Sequence, residues 1–196
     1  MIEVDDGCMV ALRMTTSALV MLLVAISQPV AHAQPVSPLY RLVDTAAQRL
    51  ATADPVAAAK WINGGPITDR QRADAVLDAV AADAAAHAVD PGYVRTVFTD
   101  QIDATEGIQY TRFGQWKFDP PAAPTVAPEL SVLRSEIDGL NKIMVDEIAL
   151  QWNTLHSPDC VRTRKDASDA VANARQLDAL YRQALSAATR SYCRIT

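Results

Sequence analysis

Apolar residues recur along this chain at helical spacing, and no stretch alternates apolar with polar for long enough to predict a strand. From Val36 to Ala53 the apolar positions Leu39, Leu42, Val43, Ala46 and Leu50 fall on one face. Asp54-Pro55 then reads as an N-cap followed by proline at the first helical position, which predicts a kink or break. A short helix through Lys60 and Trp61 is stopped by Asn63-Gly64-Gly65-Pro66, and Thr68-x-x-Gln71 has the form of a capping box opening the next helix. That helix is predicted to run to about Ala88. Asp90-Pro91 starts a long one with the stripe Val94, Phe98, Ile102, Ile108 and Trp116. Pro120 to Pro128 reads as a linker, Leu130 to Leu155 as another long helix broken by Ser157-Pro158, and two further helical segments end near Cys193. The expected fold is all-α, a single-domain bundle of about six helices.

Several polar side chains violate this pattern. At 100° per residue Arg49 lies only about 20° from Leu42, on the apolar face of its helix. Lys60 follows eleven residues later, about three turns, so both cations look the same way if the helix direction survives Pro55. Thr105 and Gln109 sit one turn apart within about 20° of Phe98, in the middle of the long helix's stripe. Arg134 lies at the edge of the apolar face that carries Ile137, and Arg72 flanks the face of Ala73, Leu77 and Val80. An isolated buried charge costs several kcal/mol, so each inward cation needs a partner or a ligand. One such arginine alone would read as an interhelix salt bridge or a snorkelling side chain. Three guanidinium groups and an ammonium converging with neutral Thr and Gln suit a small ligand with two carboxylates and a polar atom between them, because arginine grips carboxylate bidentately.

The N-terminus decides which residues the mature protein keeps. Ser17 to Val30 is nearly all apolar, follows Arg13, and ends in Ala31-His32-Ala33, the small-x-small pattern of a secretory cleavage site. Residues 1–33 are therefore expected to be a signal peptide removed after Ala33, leaving one domain over 34–196. No later run offers some 20 uninterrupted apolar residues, so no membrane association is expected after cleavage. The whole chain has a formal net charge of −5, and three of its acids and one base leave with the signal. The remainder is too balanced for a nucleic-acid surface. Of three cysteines, Cys8 also departs, which leaves Cys160 and Cys193 as an even pair in an oxidising compartment. A bond between them would stabilise the fold by roughly 3 kcal/mol; the alternative is two unpaired buried thiols. His87 and His156 lie in no Cys/His zinc-ligand spacing, and no metal site is expected.

At its inward polar residues the sequence resembles a known family, the exported, all-helical AroQ-type, gamma-subclass chorismate mutases of actinobacteria. The likeness runs from about Leu39 to Cys193. It is sharpest in RLATADPVAAAKW from Arg49 to Trp61, DQIDATEGIQYTRFGQWK from Asp100 to Lys117, RSEIDGLN from Arg134, and LDALYRQALSAATRSYC from Leu177. The resemblance implies rearrangement of chorismate to prephenate without metal, cofactor or covalent intermediate. It implies that Arg49, Arg72 and Arg134 grip the two substrate carboxylates, that Lys60 and Gln109 donate to the ether oxygen, and that Thr105 lines the site. Asp69 occupies a family position near the substrate or its arginine, although an acid there also suits the helix dipole. Val76 stands where close relatives often place a glutamine that reaches the substrate; valine makes no such bond, and Glu106 is an alternative polar group for that role. A homodimer with each site inside one chain is expected by analogy. The competing functions are a noncatalytic exported binder of small dicarboxylates and a disulfide-pinned bundle whose inward charges are only salt bridges.

Overall fold

A computed structural model describes residues 37–194, which lie in one compact unit, Pro35–Thr196. The proposed signal segment, with Cys8, falls outside the described residues. Among those described there are eight α-helices and no strand. They are α1 (Tyr40–Ala51), α2 (Ala53–Asn63), α3 (Arg70–Ala86), α4 (Pro91–Phe118), α5 (Leu130–Leu150), the single turn α6 (Trp152–Leu155), α7 (Cys160–Ala174) and α8 (Ala179–Ala188). A 3-10 turn at Pro120–Ala122 begins the proline-rich connection between α4 and α5. None of these helices is long and apolar enough to cross a membrane.

Helix α1 lies at the centre and packs against α4, α5, α7 and α8. Its Leu42, Val43, Ala46 and Leu50 are fully buried among Val94, Phe98, Met144, Ile148, Val171 and Leu185. Each large apolar side chain withdrawn from water there contributes roughly 1.5–3 kcal/mol. The C-terminus is fastened to this core by the Cys160–Cys193 disulfide, whose Cα atoms are 5.6 Å apart, and by the Tyr93 hydroxyl, which donates to the Tyr192 carbonyl at 2.6 Å. Buried Asp100 on α4 accepts from Arg190 Nε at 2.7 Å and from the Ser191 backbone N–H.

Two predicted helix starts are displaced. Helix α2 begins at Ala53 rather than behind an Asp54 cap: Thr52 keeps right-handed helical dihedrals, and its hydroxyl donates to the Arg49 carbonyl at 2.8 Å. Pro55 has no N–H for the Ala51 carbonyl, so the ladder lapses for a residue while the chain stays nearly helical. Asp54, inside the first turn, instead receives both Nε and Nη2 of Arg112, at 2.7 and 3.1 Å, which ties α2 to α4. Helix α3 is capped not by Thr68 but by Asp69, whose Oδ1 accepts from the Arg72 backbone N–H at 3.1 Å. Thr68 is thereby freed to reach α4. Gly64, at φ +76, supplies the left-handed residue that ends α2, and the Gly65 N–H closes back on the Lys60 carbonyl.

Candidate active site

Helices α1 to α5 line a cavity that is open to solvent at its mouth. Arg49, Lys60, Asp69, Arg72, Val76, Thr105, Glu106, Gln109 and Arg134, the nine side chains singled out from the sequence, all line it. The rest of the wall is apolar: Val56, Ile67, Ala73, Ile102, Leu130 and Ile137. A small cluster of Val56, Ala59 and Leu133, with Leu130 and Ile137 against it, keeps that side dry.

Arg49 and Lys60 form the deep end. Arg49 is only 4% exposed and has neutral partners alone. Its Nε donates to Asn141 Oδ1 at 2.8 Å, and its Nη1 donates to Thr105 Oγ1 at 3.2 Å and to the Gln101 carbonyl at 3.3 Å. Burial, with a smaller contribution from the like charge of Arg72, pulls its pKa down to about 10, which leaves it cationic at neutral pH. Lys60, 9% exposed, donates from Nζ to the Ile67 carbonyl at 2.7 Å. Desolvation lowers its pKa; Glu106 and Asp69 act in the opposite sense, and Arg134 adds to the lowering. Two buried cations are thus satisfied by carbonyl, amide and hydroxyl oxygens, with no carboxylate within ion-pair distance.

The other two arginines sit nearer solvent and are each steered by an acid. Arg72 Nη2 donates to Asp138 Oδ1 at 2.5 Å, and Arg134 Nη2 to Asp69 Oδ2 at 3.0 Å. Asp69 therefore does two things at once: one oxygen caps α3, the other orients Arg134. A guanidinium has five N–H donors, so one such bond leaves most of the fork free.

Thr105 and Gln109 interrupt the apolar stripe of α4 where the helical phase predicts. The Thr105 hydroxyl donates to the Gln101 carbonyl at 2.7 Å while accepting from Arg49. Gln109 is 3% exposed; its Nε2 makes one long bond, 3.4 Å, to the Thr105 carbonyl, and its buried Oε1 has no partner. One N–H of that amide remains uncommitted. Val76, 4% exposed, offers only methyl groups. Glu106 is held at Oε2 by the Thr68 hydroxyl at 2.7 Å.

Asn141 and Asp138 escaped the sequence reading as partners of Arg49 and Arg72. Both lie on α5, within one turn of each other, and only their phase relative to Arg134 hinted at these contacts. Thr68 was missed because its spacing to Gln71 fits a cap equally well. No His, Cys, Asp or Glu group among the described residues is arranged to hold a metal ion.

Fold and site together define a class: an all-helical protein with a deep, cation-lined cavity built from a single chain. The model of one family, chorismate mutase type II, matches residues 40–110. The secreted chorismate mutase of Mycolicibacterium smegmatis is 55% identical over 181 residues, covering 92% of this chain and 100% of that protein. That of Mycobacterium tuberculosis is 43% identical over 183 residues, covering 93% of this chain and 92% of its own. A crystal structure of chorismate mutase from Burkholderia phymatum superimposes with a TM-score of 0.77 at 30% identity, covering 81% of this chain and 97% of that one. The chain belongs to the chorismate mutase family.

Proposed function

We propose that this protein is an exported chorismate mutase, freed by cleavage after Ala33, which rearranges chorismate to prephenate in the α1–α5 cavity and pairs as a homodimer. Export rests on the secretory pattern of residues 17–33 and on relatives named as secreted. Pairing rests on analogy with the family alone. The observation that carries the catalytic reading is the deep pair of cations, Arg49 and Lys60, held by neutral oxygens in a cavity shared with two more arginines and a donor-rich amide.

Chorismate carries two carboxylates, and Arg49, Arg72 and Arg134 are the groups to bind them. A carboxylate bridging Arg49 and Arg72 would also offset the repulsion between these guanidinium groups. Holding both ends selects the compact conformer in which the carbon atoms to be joined approach each other. As the C–O bond breaks, negative charge develops on the ether oxygen. The Lys60 ammonium and the free N–H of Gln109 are the donors placed to stabilise it, in a site walled by Val56, Ile67, Leu130 and Ile137, where such interactions are strong. An acceleration on the order of a million-fold requires about 8 kcal/mol shared between positioning and charge stabilisation. No proton is transferred in the rearrangement, so the site requires no general base.

The test is purified mature protein mixed with chorismate, following chorismate loss and prephenate formation. Turnover supports the reading. Tight binding without turnover would favour a noncatalytic dicarboxylate binder, and absence of both would leave a structural bundle.

A further inference from the structure

The loop between α2 and α3 does two jobs at adjacent residues. The Ile67 carbonyl holds Lys60 Nζ at 2.7 Å, and the next residue, Thr68, crosses to α4. Its hydroxyl donates to Glu106 Oε2 at 2.7 Å and lies 2.9 Å from the Tyr110 hydroxyl, one turn further along the helix. A threonine hydroxyl has a single proton, and an ionised carboxylate can only accept. That proton is committed to Glu106, so the Tyr110 hydroxyl must donate to Thr68. The direction of the chain is therefore fixed: Tyr110 to Thr68 to Glu106.

Glu106 is one of two carboxylates, with Asp69, that share the cavity with Lys60. Yet no Lys60–carboxylate contact falls within ion-pair distance. Of the charged groups facing Lys60, Glu106 has the larger favourable influence, ahead of Asp69, while Arg134 opposes both. An ammonium closed onto a carboxylate would have to break that pair before donating to a substrate oxygen.

We infer that Thr68 is a positioning residue: its hydroxyl, oriented by Tyr110, anchors the Glu106 carboxylate at the cavity rim and so keeps Lys60 unpaired and available to the substrate. The arrangement resembles a latch that spares the working cation from its own counter-ion. This inference rests on the proposed role of Lys60, and its test has a readout that does not depend on turnover.

Thr68→Val keeps the shape and removes the hydroxyl, Thr68→Ser restores it, and Glu106→Gln removes the charge to be restrained. Loss of one exposed charge-assisted bond predicts a fall in kcat/KM of about fivefold for Thr68→Val. The serine variant should stay near wild type, and helical content should be unaltered. The decisive comparison is the double variant: in the Glu106→Gln background, Thr68→Val should have no further effect, because no carboxylate remains to swing inward. An undiminished effect there would overturn the inference in favour of a purely structural role for Thr68. Independently of activity, titration of Lys60 Nζ by heteronuclear NMR should show its pKa higher in Thr68→Val than in wild type, since a nearer carboxylate favours the ammonium, and the rise should vanish with Glu106→Gln. An unchanged titration overturns the inference. If wild-type protein lacks turnover while the titration behaves as stated, the functional reading fails and the positioning role stands.

Discussion

Replacing Arg49 with methionine should make the protein more stable while crippling it, because this cation is held in place at the fold's expense. Burial pulls the guanidinium's pKa down from its ordinary value to about 10, a difference that amounts to about 3 kcal/mol of disfavoured charge. The sign follows from the direction of the shift. A base whose folded pKa lies below its unfolded value carries the full penalty below about pH 10, and the penalty fades as pH rises from there toward the unfolded pKa. Arg49→Met removes it at neutral pH and keeps an unbranched apolar stem in the same space. Against this gain, Asn141 Oδ1 loses its donor, at a cost of about 1–2 kcal/mol, whereas Thr105 retains its bond to the Gln101 carbonyl. The net is a gain of about 1–2 kcal/mol, or a rise of a few degrees in Tm. With Arg49 in its proposed role of gripping a substrate carboxylate, its loss should lower kcat/KM by about a hundredfold or more. Thermal unfolding of the two proteins at pH 7, with chorismate kinetics alongside, measures both effects. A variant less stable by about 2 kcal/mol would instead make Arg49 a structural keystone and not a cation waiting for an anion.

Gln109 donates as an amide at any ordinary pH, so its part in the reaction should not weaken between pH 5 and 8. In Gln109→Glu the rate should fall as pH rises through the carboxyl's titration, because only the protonated acid donates; a flat profile in that variant would count against Gln109 as an oxygen donor. Val76→Gln adds a donor to an apolar stretch of the cavity wall and should lower KM several-fold with little change in kcat; an unchanged KM would mean that position 76 does not reach the substrate. Converting Cys160 and Cys193 to alanine opens a link between residues 33 apart in sequence. It should cost about 3–4 kcal/mol by the chain-entropy argument, seen as a lower urea midpoint.

The helices were legible because their apolar stripes are long and their ends are punctuated by proline and glycine. Arg49, Thr105 and Gln109 were legible for the complementary reason: a polar residue in phase with a stripe has nowhere to point but inward. Local signals failed where two residues compete for one role. Thr68 and Asp69 are both good caps, and the choice between them was made by α4, since only Thr68 reaches Glu106 and Tyr110. Asp54 looked like a cap until Arg112, 58 residues away, claimed its carboxylate. The same limit hid the partners of the arginines. Asn141 is 92 residues from Arg49 and Asp138 is 66 from Arg72, and nothing in helical phase says which helix faces which. Phase alone gave a cationic cavity of unknown purpose; the resemblance to a family divided its cations into a clamp and a donor.

That division is tested most directly by kcat for conversion of chorismate to prephenate in the mature protein and in Lys60→Ala. Removing a preorganised donor to a developing oxyanion costs about 10²–10³ in kcat. Lys60→Ala should therefore show a fall of that size, with KM changed far less and helical content intact. A Lys60→Ala protein that turns over at the wild-type rate would contradict that division.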